Sequence, residues 1–151
     1  MANTQAMCTS FKTELLTATH NFGTAPIRAV TTADTFKAAL YLASATVNAT
    51  TTAYSATNEV SGTGYTAGGV TVTSWNAPAA TGTTAFTTPT ASFTYTTVTL
   101  STAFDAVLIY NSTQSNKAVS VHTFGSQTIT AGSFILTMPT NDATTGLLRI
   151  A

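Results

Sequence analysis

The chain has 151 residues, of which 37 are threonine, while only five are Lys or Arg and five are Asp or Glu. The length fits one domain. The zero net charge and the scattered basic residues argue against a nucleic-acid partner, because phosphate binding needs a basic stripe. No apolar run approaches the roughly 20 residues that span a bilayer, so no membrane partner is predicted.

The abundance of threonine favours a β-rich protein. Threonine is stiff at χ1 and suits a pleated, half-exposed strand surface. Leu, Ile, Val and Phe together number 31, which predicts a folded domain with a thin core. Hydroxyl side chains are also desolvated at lower cost than long charged ones, so this surface suits packing against neighbouring subunits.

The first residues predict a flexible arm over residues 1–9, followed by a single β-sandwich domain over residues 10–151. Met1–Ser10 has no basic stretch followed by an apolar one, so a secretory signal is not expected and the protein is expected to be made in a cytoplasm. Cys8 is the only cysteine and is expected to be a spectator thiol.

A short helix is predicted over residues 11–20. Ser10 is the expected N-cap and Gly23 the stop signal. One face of this helix carries an apolar stripe at i, i+4, i+7 and i+11, formed by Phe11, Leu15, Ala18 and Phe22. The helix either closes one end of a β-core or docks on a neighbouring subunit.

From Thr35 the apolar period becomes two, which predicts a strand with Phe36, Ala38, Leu40 and Leu42 on one face and Lys37 and Tyr41 on the other. Residues 44–58 are predicted to form a surface loop. The glycine-rich residues 61–69 lack the Lys-Ser/Thr ending of a phosphate-binding loop, so they predict a turn into a second strand over residues 70–75.

Residues 76–90 are predicted to be a loop. In the next strand, Phe93 and Tyr95 take one parity while Val98 and Leu100 take the other, which predicts a β-bulge near Thr96-Thr97. Residues 106–110 are apolar on both parities, so this strand is expected to be central and covered on both faces.

The polar residues 111–116 predict the loop of a hairpin. In the strand that follows, Val119 and Val121 are expected to face inward, and Ala118, Ser120 and His122 outward. A turn is predicted at Gly125-Ser126, a bulge at Gly132, a loop over residues 139–146 and a final strand over residues 146–151. Seven or eight strands with one short N-terminal helix predict an all-β fold, a β-sandwich or jelly roll.

No catalytic, cofactor-binding or metal-binding residue is predicted. The five carboxylates are spread along the chain, and nothing in the sequence brings two of them together: Glu14, Asp34, Glu59, Asp105 and Asp142. His20 is expected at a helix C-terminus, where an imidazolium interacts well with the helix dipole, and His122 on an outer sheet face. No serine lies in a Gly-x-Ser-x-Gly motif, so the chain is not expected to be an enzyme.

Four aromatic residues are candidates for contacts. Tyr54, Tyr65 and Phe86 are either interface anchors or satellite core beneath long loops. Trp75 beside Asn76 is the one hint of a carbohydrate site, with a core or interface position as the alternative.

Several segments resemble small structural proteins of tailed bacteriophages and prophages. They cover most of the chain: SFKTELL (10–16), DTFKAALY (34–41), TAYSATNEVSGTGYTAGG (52–69), AVLIYN (106–111), NKAVSV (116–121), FG (124–125) and TAGSFILTMP (130–139). They are turn and strand segments, so they indicate kinship more than role.

This resemblance implies a virion component located on the capsid surface and made in the host bacterial cytoplasm. The expected function is that of a capsid decoration or cement protein, whose partners are the major capsid protein and its own copies as a dimer or trimer. The arm over residues 1–9 is the expected segment that reaches across a subunit boundary. A tail, neck or fibre component and a carbohydrate-binding surface module are the alternatives.

Overall fold

The computed structural model describes residues 3–16, 19–20, 22 and 33–151. One helix and eight strands occur in this part of the chain. In chain order they are β1 (Ala6–Met7), α1 (Thr9–Leu16), β2 (Phe36–Leu42), β3 (Val70–Thr71), β4 (Ala79–Thr81), β5 (Thr84–Thr87), β6 (Phe93–Asn111), β7 (Lys117–Leu136) and β8 (Leu148–Ile150).

The strands form two antiparallel sheets, one of five strands in the order β1-β7-β6-β2-β3 and one of three in the order β4-β5-β8. This all-β sandwich of eight strands with one short helix confirms the predicted fold class. The helix begins at Thr9, earlier than predicted, and is described to Leu16. Ala18 of the predicted apolar stripe lies outside the described residues.

The core is centred on β2 and the second half of β6, which are neighbours in the large sheet. Residues 106–110 are all buried, as the apolar run on both parities predicted. The predicted strand is β2, and both of its faces are covered, because Ala39 and Tyr41 are as buried as Phe36 and Leu40. A loop over residues 53–69 covers the second face, with Val60 N–H donating to Leu40 O at 2.9 Å.

The glycine-rich residues 61–69 form the predicted turn into a strand, β3, although this strand is limited to two residues. Two glycines make close backbone packing possible there. A Cβ on Gly69 (φ +74°) would lie 1.8 Å from Ala38 O, and one on Gly64 (φ +78°) would lie 2.3 Å from Thr97 O. The segment is therefore packed against β2 and β6.

Strands β6 and β7 form one long hairpin joined by the predicted polar loop, which the structure limits to residues 112–116. The predicted bulge is confirmed, since the register shifts between Tyr95 and Val98 and Thr97 has a φ of 54°. The bulge predicted at Gly132 is confirmed by a second shift and by a φ of 46° at Ala131.

Three further predictions from the sequence are wrong. No turn occurs at Gly125-Ser126, because a register shift absorbs these residues and β7 continues through them. Residues 76–90 contain the hairpin of β4 and β5. Ala118 and Ser120 do not face outward but are buried, because the N-terminal segment and helix α1 pack on this part of β7.

The prediction of a flexible arm is also corrected, because its described residues, 3–9, pack on the domain. Ala6 and Met7 pair with Val121 and Ser120, and Cys8 N–H donates to Val119 O at 3.1 Å. Asn3 donates its amide to Leu42 O and Asp105 Oδ1. A sequence of small polar residues suggested disorder, but their hydrogen bonds to distant residues anchor the segment.

Candidate functional site

All five carboxylates of the chain accept hydrogen bonds from other residues of the same chain. These are Glu14 from Lys117, Asp34 from Asn111, Glu59 from Tyr54, Asp105 from Asn3, and Asp142 from the backbone of Thr144 and Thr145. The bonds of Glu14, Asp34, Glu59 and Asp105 are part-buried, whereas those of Asp142 lie within its own exposed loop.

Glu59 is the centre of a buried polar cluster, which we call the tyrosine cluster. Its carboxylate accepts hydrogen bonds from Tyr54 Oη at 2.6 Å, Tyr65 Oη at 2.8 Å and Gly68 N at 2.7 Å. The residue is only 9% exposed, and within the described residues no cation lies within salt-bridge distance of it. Three donors stabilise a buried carboxylate in place of a cationic partner.

The other three tyrosines of the chain surround this centre. Tyr110 Oη donates to Gly68 O at 2.9 Å, Tyr95 Oη to Ala38 O at 2.8 Å, and Tyr41 Oη to Ser55 O. Two ring pairs stack within it, Tyr54 on Tyr110 and Tyr65 on Tyr95. All five tyrosines thus fasten the loop over residues 53–69 to β2 and β6.

Burial raises the pKa of every tyrosine in this cluster, and the nearby negative charge of Glu59 raises it further. The pKa reaches about 12 for Tyr41 and for Tyr110, while those of Tyr54, Tyr65 and Tyr95 rise still higher. These hydroxyls are held as neutral donors.

A second polar cluster joins α1 to the β6–β7 hairpin. His20 Nε2 lies 2.7 Å from Glu14 Oε2, Lys117 Nζ donates to Glu14 Oε1, and His20 Nδ1 lies 3.0 Å from Asn111 Nδ2. Asn111 also donates to Asp34 Oδ2 at 2.7 Å. The structure therefore links Glu14 and Asp34, two carboxylates that nothing in the sequence associates.

Hydrogen bonding assigns the tautomer of His20. Asn111 Oδ1 accepts the backbone N–H groups of Thr113 and Gln114, which orients the amide with Nδ2 toward His20. An amide nitrogen is only a donor, so His20 Nδ1 must be the acceptor and Nε2 carries the hydrogen donated to Glu14. His20 follows the described end of α1 at Leu16 and is buried, with its ring 4.8 Å from that of Phe11.

We expect Asn111→Ala to lower the free energy of unfolding by about 3 kcal/mol, because it strands His20 Nδ1 and two backbone N–H groups in a buried site. Urea unfolding measures this loss. Gln114→Ala is the matched control: it removes one 3.2 Å bond to Asp34 from the same loop, and we expect it to cost less than about 1 kcal/mol. Equal losses in the two variants would contradict the assignment.

His122 lies at a cleft between the two sheets, which corrects its predicted outward position. The cleft has a volume of about 460 Å³ and is also lined by Met7, Thr84, Leu148 and Arg149. Ser120 Oγ lies 2.9 Å from His122 Nε2. Burial lowers the pKa of His122 to about 4, so the ring is neutral and shares one hydrogen bond with the hydroxyl of Ser120.

The Ser120–His122 pair has the residue types of a nucleophile and its base. Ser120 is only 1% exposed, and no described carboxylate bonds to the other ring nitrogen of His122. Both residues line the cleft, and each satisfies a polar atom of the other.

The lowered pKa of His122 predicts a specific acid sensitivity. The unfolded chain takes up the proton near pH 6.5 and the folded chain only near pH 4, so this group's contribution to stability is complete above pH 6.5 and is lost as the pH falls toward 4. We expect urea midpoints of His122→Gln to depend less on pH in this window than those of the wild type. An NMR titration of native His122 with an ordinary midpoint would contradict the prediction.

Cys8 is fully buried, and burial together with the charge of Glu14 raises the pKa of its thiol to about 11. The thiol therefore stays protonated and unreactive at neutral pH.

The aromatic candidates lie mostly inside the fold. Tyr54 and Tyr65 belong to the tyrosine cluster, so for them the satellite-core interpretation is the one observed. Trp75 is 9% exposed and packs edge-on against Phe22 and Phe36. It offers no exposed platform for a sugar ring. Phe86 lines an apolar groove beside α1.

In the part of the chain that the structure describes, no group of three or more His, Cys, Asp or Glu side chains is arranged to hold a metal ion. Within the same residues no helix has the length and apolarity needed to cross a membrane.

The most distinctive surface is the outer edge of β7, defined here as Thr123–Thr130. Residues 125–128 and 130 are exposed, and no Lys, Arg, Asp, Glu or Pro occurs between residues 118 and 138. This is an uncharged, hydroxyl-rich strand surface. It is the candidate contact surface of the molecule.

Comparison with known proteins provides no family. No protein-family model matches the chain, and neither a curated protein nor a solved structure matches it.

Proposed function

We propose that this protein is a bacteriophage virion structural protein that decorates the outer capsid shell and stabilises contacts between major capsid protein subunits. The observation that carries the proposal is the part-buried hydrogen bonding of four of the five carboxylates, combined with the uncharged, hydroxyl-rich outer edge of β7. Such a surface forms contacts without desolvating charges.

The internal clusters support this function by making the domain rigid. The tyrosine cluster fastens the long loop, and the His20 cluster fastens α1 to the hairpin. A rigid surface loses little conformational entropy on binding, so more of its contact energy is retained. The segment similarity to tailed-phage structural proteins supplies the partner, the major capsid protein.

Cementing is a matter of mass action. A protein that binds the assembled shell but not the separated subunits stabilises the shell, and many copies add through multivalency. The protein is expected to act on the capsid surface of the virion after synthesis in the host cytoplasm, with its own copies as further partners.

The test is the copy number in purified particles of the phage or prophage that encodes the chain, measured by quantitative mass spectrometry against the major capsid protein. A ratio close to that of the major capsid protein supports decoration. A few to tens of copies indicates the tail, neck or fibre alternative, and absence from the particle overturns both. Glycan-array binding by the isolated protein would favour the carbohydrate-binding alternative, which the burial of Trp75 disfavours.

A further inference from the structure

We propose that two copies of this chain associate through the outer edge of β7, with Thr123–Thr130 of each copy pairing antiparallel about a twofold axis near Gln127. The two five-stranded sheets then become one continuous ten-stranded sheet. This inference rests on the proposed function, because it names the surface by which the decorating protein binds its own copies.

The first support is an open backbone edge. On its inner side β7 pairs with β6 as far as Leu136, but on its outer side β1 pairs only with Ser120 and Val121. Beyond Val121 no other described strand covers this side. The outward N–H and C=O groups of such an edge are a template for another strand.

The second support is the absence of two of the usual protections, charge and proline. Natural edge strands carry Lys, Pro or inward charges that prevent pairing, and residues 118–138 contain neither charged residues nor proline. Relative to β6 the register shifts twice within this segment, between Thr123 and Gln127 and between Gln127 and Ile129, and the irregularity at Ala131, with its φ of 46°, ends the segment on the C-terminal side. The available edge is therefore the short stretch Thr123–Thr130.

We choose a second copy of the chain as the partner because this segment can pair antiparallel with itself. A twofold axis at Gln127 places Ser126 of one copy opposite Thr128 of the other and Phe124 opposite Thr130. No charged side chain lies in this segment, so the pairing brings no like charges together across the axis. The zero net charge of the whole chain adds no long-range repulsion between copies.

The test uses charge pairs at the two opposed positions. Ser126→Lys with Thr128→Lys is one variant, Ser126→Glu with Thr128→Glu the second, and Thr57→Lys with Thr73→Lys, at two exposed sites away from the edge, the matched control. Sedimentation equilibrium at concentrations up to about 100 μM detects association of micromolar affinity.

We expect the wild type and the control to shift from 15.5 kDa toward twice that mass with increasing concentration. Each edge variant alone is expected to stay monomeric, and an equimolar mixture of the two to regain the dimer. A monomeric wild type, a trimer, edge variants that still dimerise, or a mixture that fails to associate would each overturn the proposal.

A second measurement needs no variant. Amide hydrogen exchange of the wild type at high and low concentration is expected to show added protection confined to residues 123–130, and unchanged exchange there would contradict the pairing. Shell binding is a separate measurement. If the protein dimerises but is absent from the particle, this inference holds and the proposed function is wrong. If the protein is monomeric but present at capsid stoichiometry, the proposed function holds and this inference is wrong.

Discussion

Replacing Glu59 by alanine is expected to lower the free energy of unfolding by about 4 kcal/mol, a large part of the 5–15 kcal/mol typical of a domain. The substitution leaves Tyr54 Oη, Tyr65 Oη and Gly68 N–H without their acceptor in a buried site. It also opens a cavity beneath the loop that covers β2. Urea unfolding followed by circular dichroism measures the change.

Tyr54→Phe is the matched control for this prediction. It removes one donor to Glu59 and keeps the ring stacked on Tyr110 at 4.6 Å, so we expect a loss of about 1.5 kcal/mol. Glu59→Gln retains an acceptor oxygen but directs an NH₂ group at one of the donors. We expect its loss of unfolding free energy to lie between those of Glu59→Ala and Tyr54→Phe. If alanine at this position cost no more than Tyr54→Phe, the central role of Glu59 would be wrong.

Alkaline unfolding is the second large effect that we expect. The pKa of all five tyrosines is raised in the folded protein, so above about pH 10 the unfolded chain loses protons that the folded chain retains. Stability is therefore complete below pH 10 and falls as the pH rises, by up to about 1.4 kcal/mol per pH unit for each tyrosine. Several tyrosines acting together should unfold the domain cooperatively between about pH 10 and 12.

Phenolate absorbance and far-ultraviolet circular dichroism recorded in the same titration test this expectation. The two signals should change in one step, because the tyrosines ionise only as the cluster opens. Tyr110→Phe removes one of the coupled protons and should make the transition less steep. Gradual phenolate formation with an intact dichroism spectrum would show that the hydroxyls ionise within the folded domain.

The strands of the large sheet were predictable because side-chain periodicity reports which faces are covered. The bulge at Thr97 followed from the parity change between Tyr95 and Val98, and the central position of residues 106–110 from their apolar run. The glycine-rich turn was also recognised, although its packing against Ala38 and Thr97 was not. Each of these signals is contained within a few neighbouring residues.

The polar clusters were missed because their members are far apart in the chain. Asn111 and His20 are 91 positions apart, and Lys117 and Glu14 are 103 apart. Glu59 left only a faint signal, a lone carboxylate flanked by Tyr54 and Tyr65 in a glycine-rich loop. The packing of residues 3–9 escaped for the same reason, since Asn3 bonds to Asp105. Local propensity predicts a turn at Gly125-Ser126, because it does not anticipate a register shift within a paired strand.

By itself the sequence determined the all-β class, the low charge of the molecule and the positions of most strands, since these follow from composition and from the alternation of neighbouring side chains. Only the tertiary structure decided where the charges go, which tyrosines meet at Glu59 and which edge of the large sheet has no neighbour among the described strands. Those outcomes depend on pairings between residues tens of positions apart, and local propensity carries no information about which distant partner will satisfy a buried polar group.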